Sequence, residues 1–404
     1  MADIPGMPAR RAALKMLDAV LRRGETLEQA GGAANGLPHP ADRALARALA
    51  SEVLRWLVDL DALVDSATKT NLPADAKARM VLRLMLAGWL RLDTPPHAVV
   101  ATALPLLTGG PKRLAHGVFA ALTRQDVKLP DAPTLPDAVA ARWDERAGPI
   151  AAALAEPPPL DLTLRTEDAT APDGTSLAPR HIRLPRGATV ETLPGFEDGA
   201  WWVQDIAASI PARLLGEGKG RRVLDLCAAP GGKTLQLASQ GWQVTSLDNS
   251  SRRLTRLEQN LARTGFAAEI VEADAMGWHP DELYDAILLD APCTATGTCR
   301  RNPDVLHRIG ERQIEAMADL QRQLLARAAN WLKPGGTLVY VVCSLEREEG
   351  ENVAEACDLK PAPAMKEELP DGLEPTPEGW VRTDPGMLAE AGGMDGFFVA
   401  RWTA

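Results

Sequence analysis

The sequence predicts an all-α domain followed by an α/β domain with a doubly wound parallel sheet. Apolar residues recur at helical spacing between positions 8 and 124, whereas short apolar strands alternate with helices from Arg222 onward. At the start of the second pattern, residues 223–234 (V-L-D-L-C-A-A-P-G-G-K-T) indicate a strand, a tight turn of small residues and a helix. Repeated units of this kind imply parallel strands covered by helices on both faces.

Composition is that of a globular protein. The 404 residues are 46% hydrophobic, and no apolar run reaches the roughly 18 residues that a membrane helix needs. The start, Met1-Ala2-Asp3-Ile4-Pro5, lacks a basic-then-apolar signal segment. Five cysteines without a C-x-x-C pair argue against a disulfide framework and a zinc site. We therefore expect a cytoplasmic protein without a metal site.

The chain divides into three parts by pattern. Residues 1–128 repeat helical apolar spacing, with residues 80–90 apolar nearly all round, as in the central helix of a bundle. They contain no paired carboxylates, His cluster or glycine loop, so this domain is expected to bind or support. Residues 129–200 are predicted to be a linker and a small α/β subdomain, and residues 201–404 the catalytic domain.

Charge is uneven along the chain. The net charge is −10, but residues 1–130 carry 17 Lys/Arg against 12 Asp/Glu, which leaves +5 there and −15 in the remainder. A basic surface can therefore be local in this acidic protein. Solvated helix faces explain the same charges equally well.

Reactive or acidic side chains lie at or just after the ends of several predicted strands of the α/β domain. These residues are Asp248, Asp274, Asp290 and Cys343. In a parallel sheet the carboxyl ends share one edge, where ligands bind. Asp248 suits ribose hydroxyls, and Asp274 suits an adenine amino group.

Three ligand classes compete for the glycine turn. A triphosphate-binding loop requires Gly where Cys227 stands, and a dinucleotide fold requires more glycines than Gly231-Gly232. S-adenosylmethionine carries no phosphate and needs no full glycine fingerprint. The downstream residues favour S-adenosylmethionine.

Two cysteines at strand ends indicate the reaction more specifically than the glycine turn does. Asp290-Ala291-Pro292-Cys293 ends one strand and Cys343-Ser344 ends another, which suggests nucleophilic chemistry. Methylation of a pyrimidine at carbon 5 needs this set, because that carbon becomes nucleophilic only after a thiolate adds to carbon 6. Burial of Asp290 would favour its protonated form, which could donate to ring N3.

These motifs, with R-R-N-P-D and the terminal D-G-F-F-V-A-R, resemble the RsmB/NSUN family of RNA cytosine-5 methyltransferases. Residues 42–47 (D-R-A-L-A-R) resemble the NusB-like helical bundle that precedes a Rossmann-like methyltransferase domain in the RsmB branch. The resemblance implies small-subunit ribosomal RNA as substrate. It assigns the nucleophile to Cys343 and product release to Cys293.

The resemblance also implies a cofactor site and RNA contacts. S-adenosylmethionine is expected on Cys227, Ala228, Ala229, Pro230, Gly231, Gly232 and Lys233, with Asp248, Asp274 and Asp290. Independently of the resemblance, Arg300 and Arg301 follow Cys293 closely and are expected to hold RNA phosphate near the target base, with a solvated basic turn as the alternative. Further RNA contacts are expected on the front domain at Arg10, Arg11, Arg43, Arg47 and Arg55.

The sequence departs from the family at one position and leaves three competing hypotheses open. The family usually has Thr before the nucleophile, where this chain has Val342. DNA cytosine-5 methyltransferases use the Pro-Cys thiol as nucleophile, which would reverse the two cysteine roles. A dinucleotide-dependent oxidoreductase is a second hypothesis, and an RNA-binding assembly factor with an inactive methyltransferase fold is a third.

Overall fold

The computed structural model describes residues 4–404, which form two compact units. The helical unit contains the described residues up to Glu156 together with Cys299–Ile309, and the α/β unit contains Pro157–Thr298 and Gly310–Ala404. The division differs from the predicted boundaries at 128 and 200, because residues 129–156 belong to the helical unit and residues 157–200 to the α/β unit. The first three residues of the N-terminal segment, which was predicted to lack signal character, lie outside the described range.

The helical unit is a bundle, as predicted. Its helices are α1 (Met7–Arg23), α2 (Leu27–Ala30), α3 (Pro40–Arg55), α4 (Leu57–Ser66), α5 (Lys77–Leu90), α6 (Pro96–Ala103), α7 (Gly109–Arg124), α8 (Asp137–Trp143) and α9 (Ala147–Leu154). Helix α5 is buried on all sides from Ala78 to Gly88, which confirms it as the central helix. Trp56 separates α3 from α4.

A small antiparallel sheet opens the α/β unit. Its strands are β1 (Leu160–Leu164), β2 (Thr175–Ala178), β3 (His181–Leu184) and β4 (Trp201–Val203), in the order β2-β3-β1-β4. The buried carboxylate of Asp161 accepts two hydrogen bonds from Arg183, at 2.6 and 2.8 Å. It also accepts one from the backbone N–H of Ile206 at 3.1 Å, which ties this sheet to the helix that follows.

The large sheet holds the remaining strands, with helices between them. In chain order the elements are α10 (Ile206–Leu215), β5 (Arg222–Leu226), α11 (Gly232–Ser239), β6 (Gln243–Asp248), α12 (Ser251–Thr264), β7 (Glu269–Glu272), β8 (Tyr284–Asp290), α13 (Val305–Arg308), α14 (Glu311–Ala329), β9 (Leu332–Val342), α15 (Glu351–Ala354), β10 (Lys360–Pro361), β11 (Val381–Arg382) and β12 (Phe398–Thr403). Of these, α13 belongs to the helical unit.

The sheet is mixed rather than wholly parallel. Its order is β10-β12-β9-β8-β5-β6-β7, with β11 also paired to β12. The pairs from β9 to β7 are parallel, as predicted, but β12 runs antiparallel to β9 and is joined to it without a long crossover helix. Strand β9 begins at Leu332 and includes Pro334-Gly335-Gly336 in its irregular first part.

Residues 299–309, which contain the R-R-N-P-D motif, are held by buried side-chain contacts within the helical unit. The Arg55 guanidinium donates to the backbone carbonyls of Arg300 at 3.0 Å and Leu154 at 3.2 Å. The ring of His307 lies 2.6 Å from the carbonyl oxygen of Leu54. Nowhere between residues 4 and 404 is there a helix both long and apolar enough to cross a membrane.

Candidate active site

The glycine turn between β5 and α11 is the first part of the site. Cys227 has φ 63° and Gly231 has φ 105°, so two residues of the turn adopt the left-handed conformation. That conformation is uncommon for a residue with a side chain, and strain of this kind is concentrated at functional sites. A loop position at which a phosphate-binding motif would have Gly is therefore occupied by a Cys in a glycine-like conformation.

Side chains from the neighbouring βα unit fix the turn. The Asp248 carboxylate accepts from the backbone N–H groups of Ala229 at 3.2 Å and Ser250 at 3.0 Å. Asn260 donates to the Pro230 carbonyl at 3.1 Å, and Arg253 donates to the Ala229 carbonyl. The turn is thus held in shape by β6 and α12 before any ligand binds.

A cleft opens beside this turn, at the carboxyl ends of the parallel strands. It is lined by Cys227, Asp248, Asp274, Met276 and Pro292, among other residues. The cleft combines carboxylates with apolar walls and carries Arg253 as its cation, a set of side chains that fits a nucleoside rather than a phosphate chain. Burial, together with Asp290 and Asp248, raises the pKa of the Cys227 thiol to about 12, so this cysteine is an uncharged wall residue.

Asp290 and Lys233 form an ion pair at the end of β8. The Lys233 ammonium lies 2.7 Å from a carboxylate oxygen of Asp290 and over the ring of Phe397. Burial lowers the pKa of Lys233, but the charge and hydrogen bond of Asp290, together with the more distant Cys343 and Asp225, outweigh that effect, so the pKa is raised and the ammonium is retained. The side chain of Asp290 is 28% exposed and paired with a cation, so the burial expected for it from the sequence is incomplete.

The two cysteines at strand ends lie in contact. Their sulfur atoms are 3.4 Å apart, because β8 and β9 are adjacent parallel strands with Asp290 opposite Val341. The hydrogen bond to Cys343, together with burial, holds the pKa of the Cys293 thiol well above its usual value. Cys293 is therefore a protonated thiol that faces the sulfur of Cys343.

Val342, the departure noted in the sequence, lies at the end of β9. It is fully buried and opposite Phe398 of β12. Its side chain belongs to the apolar core under the sheet, beside Leu289 and Tyr340. A hydroxyl at this position would need a buried hydrogen-bond partner, whereas Val packs without one.

Two buried carboxylates of the site were not predicted. Glu349 accepts hydrogen bonds from the residues that follow both cysteines, Thr294 and Ser344. Asp225 lies within β5, where burial raises the pKa of its carboxyl to about 7. Asp225 could have been found from the sequence as a lone acid inside an apolar strand. Glu349 is one of four acids in the run E-R-E-E-G-E, and the sequence does not distinguish it from its neighbours.

The arginines predicted to contact RNA lie in different environments. Arg300 is 1% exposed, and Arg10 and Arg55 are also buried, so the structure contradicts their assignment as phosphate contacts. Arg43 is half-buried and donates to the carbonyls of Leu37 and Pro38 before α3. Arg11 and Arg47 are exposed and Arg301 is half-buried, so their role in RNA contact stays a prediction.

Comparison with known proteins identifies the family. A family model described as 16S rRNA methyltransferase RsmB/F matches residues 212–403, and the NusB family model matches residues 7–109. Ribosomal RNA small subunit methyltransferase B of Shewanella oneidensis is 32% identical over 98% of this chain and 99% of its own length. The protein of that name from Xylella fastidiosa is 34% identical over 98% of both chains.

A solved structure supports the same fold. The crystal structure of a methyltransferase homolog protein from Pyrococcus horikoshii is 28% identical, with a TM-score of 0.54 over 66% of this chain and 93% of that chain. The predicted fold class, the NusB-like front and the methyl donor are thereby confirmed. The chain belongs to the RsmB/F family of S-adenosylmethionine-dependent methyltransferases that act on small-subunit ribosomal RNA.

Proposed function

We propose that this protein methylates carbon 5 of a cytosine in 16S ribosomal RNA through a covalent bond between Cys343 and carbon 6. The observation that carries the proposal is the pair of thiols 3.4 Å apart at the ends of β8 and β9. Carbons 5 and 6 are neighbours in the ring, so adjacent thiols can serve both positions. Because bacterial ribosomal RNA is modified in the cytoplasm, we place the protein there.

The donor site is assigned to the glycine turn and to the acids at the strand ends. The turn residues are Cys227, Ala228, Ala229, Pro230, Gly231, Gly232 and Lys233, and the acids are Asp248, Asp274 and Asp290. The carboxylate of Asp274 is exposed and accepts one hydrogen bond, from the backbone N–H of Met276 at 2.9 Å, which leaves acceptor capacity for a ligand. S-adenosylmethionine supplies the methyl group as a sulfonium.

Cys343 starts the reaction. Its thiolate adds to carbon 6, which leaves negative charge on the ring and makes carbon 5 nucleophilic. The target base must leave its stack to reach this sulfur. The Cys293 sulfur lies 3.4 Å from the attacking sulfur, so a protonated Cys293 thiol can donate a hydrogen bond to the Cys343 thiolate.

Asp290 and Lys233 manage the charge that develops on the ring. The pair holds one proton across 2.7 Å, between the ammonium and the carboxylate. As the thiolate adds, transfer of that proton through Asp290 to ring N3 would neutralise the developing negative charge. This assignment keeps the predicted role of Asp290 but takes the proton from Lys233 instead of from burial.

Cys293 ends the covalent cycle. After methyl transfer, carbon 5 must lose its proton before the bond between carbon 6 and the Cys343 sulfur can break. The contact with Cys343 is the main cause of the raised pKa of Cys293, and that contact changes once Cys343 is bonded to the base. Cys293 can then release its own proton to solvent and accept the one from carbon 5. Cleavage of the bond between carbon 6 and sulfur restores the Cys343 thiolate, and ring N3 returns its proton to Asp290.

A denaturing gel with labelled RNA and S-adenosylmethionine tests the two cysteine roles. Cys343→Ala should abolish both methylation and the covalent RNA adduct, whereas Cys293→Ala should form an adduct that persists. Bisulfite sequencing of the RNA reports the methylated cytosine. An adduct only in Cys343→Ala would reverse the roles, and methylation by the unmutated protein with no adduct in either variant would refute the covalent release step.

The helical unit offers one basic surface that suits RNA. Helix α7 contains no acidic residue, and Lys112, Arg113, His116 and Arg124 are exposed, outside the face that holds its buried residues. No ion pair to these side chains is present in residues 4–404. Arg47 and Arg301 remain separate candidates for RNA contact. Unneutralised cations on one face are what a phosphate backbone requires.

Salt dependence of RNA binding tests this surface in the intact protein. Replacing Lys112 and Arg113 by Gln should lower the salt slope by about 1 for each phosphate that is no longer neutralised. The matched control replaces Arg22 and Arg23 by Gln, because these exposed arginines are already paired with Asp18 and Glu25. Equal slopes in both double variants would remove α7 from the RNA site while leaving the methylation reaction unaffected.

A further inference from the structure

We infer that Glu349 is a positioning residue of the reaction, whose buried carboxylate sets the separation and orientation of the Cys293 and Cys343 thiols. Glu349 has no exposed surface and lies in the loop between β9 and α15. The roles of the two thiols in this inference rest on the proposed function, whereas the contacts of the carboxylate are those of the structure.

The carboxylate bridges the residues that follow the two cysteines. One oxygen accepts from the backbone N–H of Thr294 at 2.8 Å, and the other accepts from the hydroxyls of Thr294 and Ser344. Thr294 follows Cys293, and Ser344 follows Cys343. A single side chain therefore holds the backbone next to both sulfur atoms.

A second layer of contacts fixes the carboxylate itself. Gln321 of α14 donates to Glu349 at 3.1 Å and to the carbonyl of Pro292 at 2.8 Å, so it anchors the Cys293 side again. The hydroxyl of Tyr340 on β9 donates to the Glu349 backbone carbonyl at 2.5 Å and lies 3.1 Å from the side-chain oxygen of Gln321. The carboxylate thus cannot shift without moving groups on β9, on α14 and in the Cys293 loop.

The choice of an acid here is costly for folding. Burial raises the pKa of Glu349, whereas the hydrogen bonds from Ser344, Thr294 and Gln321 favour its charged form. Removing a carboxylate from water is unfavourable unless its lone pairs are satisfied, and apolar packing can hold two loops together without that cost. What a carboxylate adds is directed bonding to both loops from one rigid group.

Glu349 should affect the position of the Cys293 thiol more than that of the Cys343 thiol. Cys343 attacks from the end of a strand, but Cys293 lies in a loop whose first residue beyond the sulfur is held by Glu349. Displacing a catalytic group by about 1 Å can cost on the order of 100-fold in rate. Loss of the carboxylate should therefore slow release more than attack, so that the covalent RNA adduct accumulates.

The test compares Glu349→Ala and the charge-retaining, shorter Glu349→Asp with Glu349→Gln. The Gln variant should stay within a few-fold of the unmutated protein, because its oxygen can accept from Thr294 and Gln321 while the two hydroxyls turn to accept from its amide. The matched control is Glu348→Ala, which removes the neighbouring, exposed acid. Binding of S-adenosylhomocysteine by calorimetry should be equal in all variants and reports folding of the donor site.

Two readouts report the thiol geometry. Without RNA, oxidised glutathione should convert Cys293 and Cys343 to a disulfide, with release of two reduced glutathione molecules, and we expect this step to be about tenfold slower in Glu349→Ala and Glu349→Asp. With RNA, those two variants should turn over about 10 to 100 times more slowly and retain more adduct, with an unchanged KM for RNA.

The inference would be overturned if Glu349→Ala and Glu349→Asp formed the disulfide and turned over as fast as Glu348→Ala. Slower turnover with an unchanged disulfide rate and no extra adduct would overturn it as well, because Glu349 would then act elsewhere. If Glu349→Ala does not fold, the decision rests on Glu349→Asp. If the unmutated protein forms no adduct, the proposed function fails, while the disulfide rates still decide whether Glu349 positions the thiols.

Discussion

Replacing the buried Asp225 by Asn should remove a pH dependence of stability that this carboxyl imposes on the α/β unit. The Thr234 hydroxyl donates to one oxygen of Asp225 at 2.6 Å, and within residues 4–404 the other oxygen has no hydrogen-bond partner. Burial raises the pKa from 3.8 to about 7, with a further contribution from the charge of Asp290. The folded protein therefore retains this proton at pH values at which the unfolded chain has lost it.

The size of the effect follows from the two pKa values. The stabilising contribution is full below about 3.8, falls as the pH rises, and is lost above about 7. Between pH 5 and pH 8 the folded state should lose about 2.5 kcal/mol of stability through this group. For a unit of this size that corresponds to a decrease in Tm of roughly 5 to 10 °C.

Thermal unfolding at pH 5 and pH 8 tests this prediction, because the decrease in Tm between the two pH values can be compared in Asp225→Asn and in the unmutated protein. The decrease in Tm between the two pH values should be smaller in Asp225→Asn than in the unmutated protein, whatever the absolute Tm of the variant. The control is Asp281→Asn, which changes an exposed acid and should leave the decrease unaltered. The same decrease in Asp225→Asn and the unmutated protein would show that Asp225 is not the buried group that binds this proton.

Two further predictions concern the groups around the thiols. A methyl group at Gly297 would overlap the carbonyl of Gly396, so Gly297→Ala should lower the free energy of unfolding by about 3 kcal/mol. Gly117→Ala, on the open face of α7, is the control and should be neutral or stabilising. Unfolding in urea compares the two variants. Lys233→Met should lower the single-turnover rate of methyl transfer by about 100-fold, because Asp290 loses its proton source, and Lys233→Arg should recover part of the rate. An unchanged rate in Lys233→Met would exclude the ion pair from proton transfer.

The sequence by itself determined the order of elements and the edge at which the chemistry lies. Local signals were sufficient for this: apolar periodicity set the helices and strands, and small residues at 228–232 set the turn. Because consecutive βα units place the carboxyl ends of parallel strands at one edge, Asp248, Asp274, Asp290 and Cys343 could be placed together from their positions in the chain alone. The resemblance then supplied the family, which the comparisons confirmed.

Only the tertiary structure decided which of these groups touch and what charge state each one favours. The 3.4 Å contact between Cys293 and Cys343, the pairing of Lys233 with Asp290 and the bridging position of Glu349 all join residues distant in sequence. Burial of Arg300 depends likewise on its segment belonging to the helical unit. Periodicity and spacing report only a residue's own element, whereas contact, burial and the resulting pKa depend on what other elements bring to the same place.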